Sequence, residues 1–374
     1  MRSFMGQKMT NKCRMLGFAC VVLFLALFLS CGGGGMQSSP SVRGEGNVAL
    51  FVSDNISFYR QVVSTITDVR LVNSGNGGVC HILGSPVTYD ISNLTNMAQF
   101  ATLVQCPAGN YNRIDIDFKK GAHVMNQLGD ASDCAYVSSI DESGQVRDLA
   151  CDATTGVCTL SVRGGTRDRF LLVQADQYNT LGIDFDLKKF TIADFGDPSA
   201  CAMTMTASLL NTADLNNSGR AYGVTGSISR LDTAAHTFML SAGGKSLSVS
   251  YAKIVPALQP DIDKLLGFAQ AEGLPVNVLT GDIDFAAGRV SADRLAVKAA
   301  GPVTNVQNNP TWTFSLEYLP GSTLKGSHKP PADVQGTFIN GAWVNVKFDG
   351  YDDDSHAYRA SSIEVLPSGM VLNE

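Results

Sequence analysis

Alternating apolar and polar positions mark several short strands in the first half of the chain. Between Val62 and Val72 a β-branched or aliphatic residue recurs at every second position, which places those side chains on one face of an extended strand. The same alternation predicts strands at 46–54, 111–118, 157–162, 169–175 and 181–192. A short helix is predicted at 94–104. Because Gly, Asn and Asp separate the strands, we expect an antiparallel β-sandwich over residues 47–207.

The second half of the chain contains two copies of one unit. Residues 273–297 align without a gap to residues 341–365, and both stretches begin with Gly, continue with Val-Asn-Val and end on matching aliphatic positions. Ungapped internal similarity of this kind is typical of duplicated modules. We therefore predict two small β-barrel-like repeats, at 221–298 and 299–374, and a linker at 208–220.

The middle of the unit differs between the two copies. The stretch TFML at 237–240 matches TFSL at 313–316 with a longer spacing than the rest, so one gap separates the halves of each unit. In the first copy, Pro260 suits a first helical turn. Four apolar residues then share one helix face: Ile262, Leu265, Leu266 and Ala269. This pattern predicts a short helix that closes one end of the first barrel.

Three stretches of the first domain carry a family pattern. They are a Gly-led strand that ends at Asp54, a PAG-x-Y turn from Pro107 to Tyr111, and the closing strand at 181–192. Together they resemble an uncharacterised bacterial lipoprotein domain, domain of unknown function 4382, over most of residues 46–192. The resemblance implies a β-sandwich on a lipoprotein tether. It carries no established activity.

The two repeats are similar to a second family. The first copy opens with a Gly-x-Ile step at Gly226 and Ile228, and each copy contains a Val-x-Val hairpin. This layout resembles another uncharacterised exported β module, domain of unknown function 5666. The resemblance implies small β modules, again without an activity.

The N-terminus has the pattern of a lipoprotein leader. Basic residues open residues 1–30, and an apolar run of about a dozen residues follows, shorter than the ~20 that cross a bilayer as a helix. The run leads into Ser30 and Cys31, which resemble a lipobox, so Cys31 is the predicted lipidation site. The alternative is an ordinary secretory leader. Residues 31–46, rich in Gly and Ser, are predicted to be a flexible tether, and Gly32 favours an outer-membrane address.

An even number of cysteines follows Cys31. In an exported protein an even number favours disulfides, although the sequence alone permits many pairings. The pairings that we favour are Cys80 with Cys106, Cys151 with Cys158, and Cys134 with Cys201. The chain has no CxxC pair and no CxxCH motif, so we expect neither a metal site of that kind nor a c-type haem, and no other cofactor.

The charge of the chain narrows the range of partners. The formal net charge is −6, and it is more negative without the basic leader. Nucleic acids and anionic lipid surfaces attract clusters of Lys and Arg, so nucleic acid is not expected as a partner. The expected partners are the membrane, through the lipid anchor, and an envelope protein or polysaccharide.

Candidate chemistry is limited to carboxylates and aromatic rings. Asp115 and Asp117 lie on one predicted strand, and Asp184 and Asp186 on another. If the two strands are neighbours, the four carboxylates form a possible Ca²⁺ site. The alternative is that these carboxylates lie on ordinary half-exposed strands. The acidic cluster of Asp349, Asp352, Asp353 and Asp354 with His356 is predicted to be a solvated hairpin turn, and the alternative is a metal site.

The remaining motifs predict turns and core positions. The run GGKS at 243–246 fits a hairpin turn better than a phosphate loop. Trp312 and Trp343 are candidates for stacking on sugars, but their strand positions favour the core. No HExxH or GxSxG motif occurs, so we expect no enzyme.

The sequence therefore favours a non-enzymatic envelope lipoprotein that binds or scaffolds another component. The alternatives are a calcium- or glycan-binding adhesin and a hydrolase with an unrecognised acidic site.

Overall fold

The first half of the chain, in which apolar and polar side chains alternate along the strands, forms two sheets. The computed structural model describes residues 44–54, 59–73, 77–94, 97–141, 143–163, 171–211, 215, 220–254, 259–367, 370 and 372. The predicted leader at 1–30, Cys31 and almost all of the predicted tether lie outside these residues. The strands of the first half are β1 (Glu45–Asp54), β2 (Gln61–Asn73), β3 (Gly78–His81), β4 (Val87–Asp90), β5 (Met97–Pro107), β6 (Gly109–Tyr111), β7 (Arg113–Lys119), β8 (Gly121–Met125), β9 (Ala131–Ile140), β10 (Val146–Asp148), β11 (Ala150–Cys151), β12 (Val157–Arg163), β13 (Leu171–Val173), β14 (Tyr178–Phe185), β15 (Thr191–Ala193), β16 (Ala202–Met205) and β17 (Ala207–Asn211).

These strands form a β-sandwich. One sheet follows the order β17–β14–β1–β5, and the other follows β11–β12–β7–β2–β8–β9–β16–β15. Most neighbours are antiparallel, but β1 runs parallel to β14 and β16 runs parallel to β9. The core between the sheets includes Leu50 and Val52 of β1 and Ile116 and Phe118 of β7. Two 3-10 helices lie at Ile91–Leu94 and Leu187–Lys189.

The predicted helix at 94–104 is wrong, because most of that stretch is strand β5. Strand β5 pairs with β1 from Ala98 to Pro107, with one register shift. Its two faces are both apolar: Phe100 is buried in the core of the second half of the molecule, and Ala101 packs against the core of the sandwich. A strand between two cores has apolar residues on both faces, so it lacks the alternation that identifies a half-exposed strand.

Twelve strands and one described helix follow in the second half. They are β18 (Ala221–Asp232), β19 (Thr237–Ala242), β20 (Lys245–Ser250), α1 (Gln259–Glu272), β21 (Pro275–Thr280), β22 (Ile283–Asp284), β23 (Arg289–Ser291), β24 (Arg294–Thr304), β25 (Thr313–Leu319), β26 (Ser322–Ser327), β27 (Asp333–Gln335), β28 (Trp343–Asp352) and β29 (Ala357–Leu366).

Strands β18 to β24 close into a first barrel. The pairs are β18 with β19, β19 with β20, and β20 with β23, which leads directly into β24. Strand β24 pairs with β21, and β21 returns to β18. With β23 and β24 counted as one interrupted strand, the ring has five strands, and its third and fifth strands are parallel.

Strands β24 to β29 repeat this arrangement as a second barrel. The ring runs from β24 to β25, β26, β29, β28 and back to β24, and its third and fifth strands, β26 and β29, are again parallel. Strand β24 is therefore the fifth strand of the first barrel and the first strand of the second. The predicted boundary between residues 298 and 299 falls inside this shared strand. Five-stranded barrels with this strand order have the architecture of the oligonucleotide- and oligosaccharide-binding fold.

The predicted helix of the first repeat is confirmed as α1. It connects the third and fourth strands of the first barrel, and Ile262, Leu265, Leu266 and Ala269 are all buried in the barrel core. The Tyr251 hydroxyl donates to Asp263 Oδ1 at 2.6 Å, which ties the helix to the end of β20. Burial, followed by the nearby Asp263 carboxylate, raises the pKa of Tyr251.

The sandwich and the first barrel share one sheet. Strand β5 of the sandwich runs parallel to β18 of the barrel, and residues 42–374 form one compact unit. Strand β1 is buried on both faces, because Leu50 contacts the sandwich core and Phe51 contacts the barrel core. The predicted linker at 208–220 begins within β17 and ends next to β18.

Three disulfides stabilise the sandwich, with the pairing favoured from the sequence. Cys80–Cys106 connects β3 of one sheet to β5 of the other. Cys134–Cys201 connects β9 to the segment before β16, and Cys151–Cys158 joins the paired strands β11 and β12.

Candidate functional site

The four aspartates proposed as a calcium site do not come together. Asp115 and Asp117 lie on β7, whose neighbours are β2 and β12, whereas Asp184 lies on β14 in the other sheet and Asp186 follows that strand. The premise that the two strands are neighbours is wrong. Across the part of the chain that the structure describes, no three His, Cys, Asp or Glu side chains group as metal ligands.

Each of these carboxylates instead has its own cation. Asp117 accepts from Arg70 at 2.7 Å, and Arg113 lies 2.9 Å from Asp115. On the other sheet, Arg220 lies 2.9 Å from Asp184, and Lys189 lies 2.8 Å from Asp186. These ion pairs are structural, since they neutralise carboxylates on partly buried strand faces.

The second barrel carries an open polar cleft of about 850 Å³. It lies over the second and third strands of the barrel, β25 and β26. Two loops border it: residues 305–312, between the first and second strands, and residues 353–356, between the fourth and fifth. We call it the barrel cleft. Its lining is Asn305, Gln307, Pro310, Thr311, Thr313, Phe314, Ser315, Thr323, Leu324, Lys325, Lys329, Asp352, Asp354, Ser355 and His356.

Gln307 is held in place at one border of the barrel cleft. Thr311 and Thr313 donate their hydroxyl protons to Gln307 Oε1, at 3.0 and 3.3 Å. His328 Nε2 donates to the main-chain oxygen of Gln307 at 2.9 Å. Because the two hydroxyls use the amide oxygen, the N–H donors of the Gln307 amide remain for a ligand, and no described residue accepts from them.

Asp352 organises the opposite border. Its carboxylate accepts from the hydroxyls of Ser355 at 2.7 Å and Ser327 at 3.2 Å, and from the main-chain N–H of Asp354 at 3.2 Å. The Ser355 hydrogen bond is the main reason that the pKa of Asp352 lies below its usual value of 3.8. Lys325 donates to the main-chain oxygen of Ser355 at 2.6 Å, which fixes the same turn to β26.

The two tryptophans are half-buried rather than enclosed in the core. Trp312 lies in the loop 305–312, with its ring edge-to-face against His328 at a centroid distance of 5.4 Å. Trp343 begins β28, opposite Leu366. Trp312 is therefore part of the loop that borders the barrel cleft.

The corresponding position of the first barrel is filled by an aromatic side chain. Its turn between the fourth and fifth strands carries Phe285, whose ring lies 5.2 Å from that of Phe100 and 6.1 Å from that of Phe51 in the sandwich. The equivalent residue of the second barrel is Asp353, with 73% of its side chain exposed, and it is paired with Lys264 at 3.4 Å. Only one of the two turns is therefore part of a core.

Sequence reasoning did not find most residues of the barrel cleft. Most of its polar side chains are Asn, Gln, Thr and Ser, which form no motif. The repeat itself contains a signal, because the loop at 305–312 is twice the length of its counterpart at 233–236. Loops that carry binding residues are commonly longer and more variable than the strands they connect.

Fold and cleft together define a mainly β protein, built from a disulfide-bonded sandwich and two five-stranded barrels that share a strand. Residues 45–198 match the profile of a family described as Domain of unknown function (DUF4382), which confirms the resemblance of the first domain. A comparison with curated proteins found no match. The resemblance of the barrels to domain of unknown function 5666 stays a prediction. No described helix has both the length and the apolar character needed to cross a bilayer.

Proposed function

We propose that this chain is an exported lipoprotein, anchored in the cell envelope through Cys31, that binds another envelope component without catalysing a reaction. The barrel cleft is its binding site. The observation that carries the proposal is the barrel cleft itself, which lies over the second and third strands of the second barrel and, at about 850 Å³, is larger than the depression of about 410 Å³ beside the third strand of the first barrel. In this barrel architecture that face and its two flanking loops are where ligands bind.

The disulfides support export. Disulfides persist in oxidising compartments such as the periplasm and the cell surface, and they are rare in the cytosol. Cys134 and Cys201 are both buried, as is Cys106, so these sulfurs belong to the core. An outer-membrane anchor would place the folded body in such a compartment.

The chemistry of the barrel cleft favours binding over catalysis. Asp352 accepts three hydrogen bonds that stabilise its ionised form, which makes it a poor general acid near neutral pH. The hydrolase alternative needed a site assembled from the acidic strand faces, but Asp117 lies on β7 of one sheet, whereas Asp186 follows β14 of the other. Groups fixed in one geometry by neighbouring side chains suit recognition of a ligand.

Mass spectrometry and membrane fractionation test the anchor. In the wild-type chain we expect a mature N-terminus at Cys31 that carries acyl chains and co-sediments with membranes. Cys31→Ser should lose both the acyl mass and the sedimentation, whereas Cys20→Ser in the leader should lose neither. An unmodified Cys31 in the wild-type protein would contradict the proposal.

Capture of envelope components tests the binding role. The full-length chain in detergent is incubated with envelope extracts, beside a Gln307→Ala variant and an exposed-helix control, Gln270→Ala. We expect wild type and control to retain the same component and the Gln307→Ala variant to lose it. Equal retention by all three proteins would remove the barrel cleft from the proposal.

A further inference from the structure

A second groove adjoins the barrel cleft. It has a volume of about 580 Å³, and we call it the aromatic groove. Its lining is Lys264, Phe268, Tyr351, Asp353, His356 and Tyr358. Phe268 and Tyr358 stack at 4.6 Å, and Tyr351 meets Tyr358 edge-on at 5.4 Å. All three rings are half-buried, so each keeps part of its surface for a ligand.

The two depressions share a lining residue. His356 lines both of them, and it belongs to the turn 353–356 that borders the barrel cleft. A ligand that extends across His356 would meet polar groups on one side and ring faces on the other. The two depressions, of about 850 and 580 Å³, together offer more space than one small molecule fills, and they suit a chain of several units.

The charges of this surface are balanced. The barrel cleft contains two lysines and two aspartates, and the aromatic groove contains one of each. Lys325 is hydrogen-bonded to the main-chain oxygen of Ser355, and Lys264 lies 3.4 Å from Asp353. A polyanion requires a surplus of cations along its path. A neutral ligand requires none.

The hydrogen-bonding groups of the barrel cleft match hydroxyl groups. Hydroxyls both donate and accept, so their partners are amides, hydroxyls and carboxylates of the kind provided by Gln307, Thr323 and Asp354. Sugar rings also have apolar C–H faces, which pack on aromatic rings such as Tyr351. A ligand with both properties at every unit is an oligosaccharide.

We propose that the barrel cleft and the aromatic groove together bind a neutral oligosaccharide. This inference rests on the proposed binding function and assigns its ligand class. Sugar hydroxyls bind at Gln307, Asp354 and the neighbouring hydroxyl side chains, and ring faces pack on Tyr351 and Phe268.

Calorimetric titration of the full-length chain in detergent tests the assignment. The probes are the neutral hexasaccharides of maltose, cellulose, β-1,3-glucan and mannan type, with a heparin hexasaccharide and single-stranded oligothymidine as anionic probes. We expect at least one neutral hexasaccharide to bind with a Kd below about 1 mM, and its disaccharide to bind at least about tenfold more weakly.

Two variants and two matched controls locate the site. Gln307→Ala and Tyr351→Leu should each weaken binding at least about tenfold. Gln270→Ala on α1 should leave the Kd unchanged. Tyr178→Leu should also leave it unchanged. Tyr178 of the sandwich lies under Lys245 of the first barrel at 5.4 Å, a contact that resembles Lys264 over Tyr351 at 5.0 Å. Thermal unfolding of each variant confirms that it is folded.

The outcomes separate the ligand class from the binding function. If only the anionic probes bind, the ligand is not a neutral oligosaccharide, but the binding function stands. The same holds if no probe binds while Gln307→Ala still abolishes capture of an envelope component. Neutral binding that both variants leave unchanged would overturn this site. Failure of every probe together with failure of cleft-dependent capture would overturn both.

Discussion

The two barrels have one strand order but differ in what their exposed ends contact. At the end of the third strand, the first barrel has Tyr251 and the second has His328, and both side chains are buried. Tyr251 donates to Asp263 of helix α1, whereas His328 donates to the main-chain oxygen of Gln307 in the cleft border. The same position thus supports the core of one copy and the candidate ligand loop of the other.

Contact with the sandwich explains the difference. The hairpin and the turn of the first barrel pack on strands β1 and β5, so their residues are selected for packing. The second barrel has no such contact at its corresponding loops among the described residues, and polar side chains occupy them. The duplicated barrel therefore has one copy whose hairpin and turn pack on the sandwich and one copy whose turn borders the barrel cleft.

The largest expected effect on stability comes from substitutions in the turn between the fourth and fifth strands of each barrel. Phe285→Ala removes a ring that packs on Phe51 and Phe100 and should lower the free energy of unfolding by about 3 kcal/mol. Asp353→Ala, at the equivalent position, should change it by less than about 0.5 kcal/mol. Equilibrium denaturation measures both. Similar losses for the two variants would show that the turns do not differ as described.

The hairpin between the second and third strands gives the next comparison. A Cβ added at Gly243 would lie 2.6 Å from Phe100 Cε1 and from Thr102 Cα, whereas one added at Gly321 of the second barrel meets nothing within 4 Å. Both glycines have positive φ, at 51° and 77°, so each alanine variant should lose about 1 kcal/mol through backbone strain.

Overpacking adds to that loss at one of the two positions. Gly243→Ala should lose a further ~1–2 kcal/mol, because Phe100 and the backbone of β5 must shift. Chemical denaturation of both variants measures the difference. Equal losses would contradict the close docking of this hairpin on the sandwich.

The sequence predicts local structure well where a single pattern of residue spacing is sufficient. The repeat at a constant offset predicts two barrels, and the apolar face from Ile262 to Ala269 predicts α1. The favoured cysteine pairs are also the observed ones, although the sequence alone permits many pairings. The repeat and the helix depend on spacing that the sequence shows directly.

The features that the sequence did not predict depend on contacts between distant parts of the chain. Strand β5 looks helical in isolation because both of its faces are buried, and that burial comes from two cores that the sequence does not identify. The shared role of β24 follows from pairing on both of its edges. The proposed calcium site fails for the same reason, since nothing near Asp117 or Asp186 in the sequence says which strands become neighbours.

Removing the hydrogen bond between the first barrel and helix α1 should have a moderate effect on stability. Tyr251→Phe keeps the ring in the core and removes the hydrogen bond to the Asp263 carboxylate, so the free energy of unfolding should fall by ~1.5–2 kcal/mol. Tyr318→Phe is the control, because its bond to Glu272 is exposed and should contribute less than about 1 kcal/mol. A larger loss for Tyr318→Phe than for Tyr251→Phe would contradict the role of Tyr251 as a buried anchor for α1.

The smallest expected effect concerns Asp352 and depends on pH. Its folded-state pKa lies below the usual 3.8, chiefly because of the Ser355 hydrogen bond. Its ionised form therefore stabilises the fold above pH 3.8, and the contribution disappears as the pH falls through the lower, folded-state pKa.

Asp352→Asn tests this contribution. Near neutral pH its free energy of unfolding should be about 1 kcal/mol lower than that of wild type, a small difference because the group is partly exposed, and in strong acid the two should be equal. Asp353→Asn, beside it and exposed, is the control and should change the free energy of unfolding by less than about 0.5 kcal/mol. Denaturation curves across the acid range measure both, and a pH-independent deficit in Asp352→Asn would mean that its charge does not hold the turn.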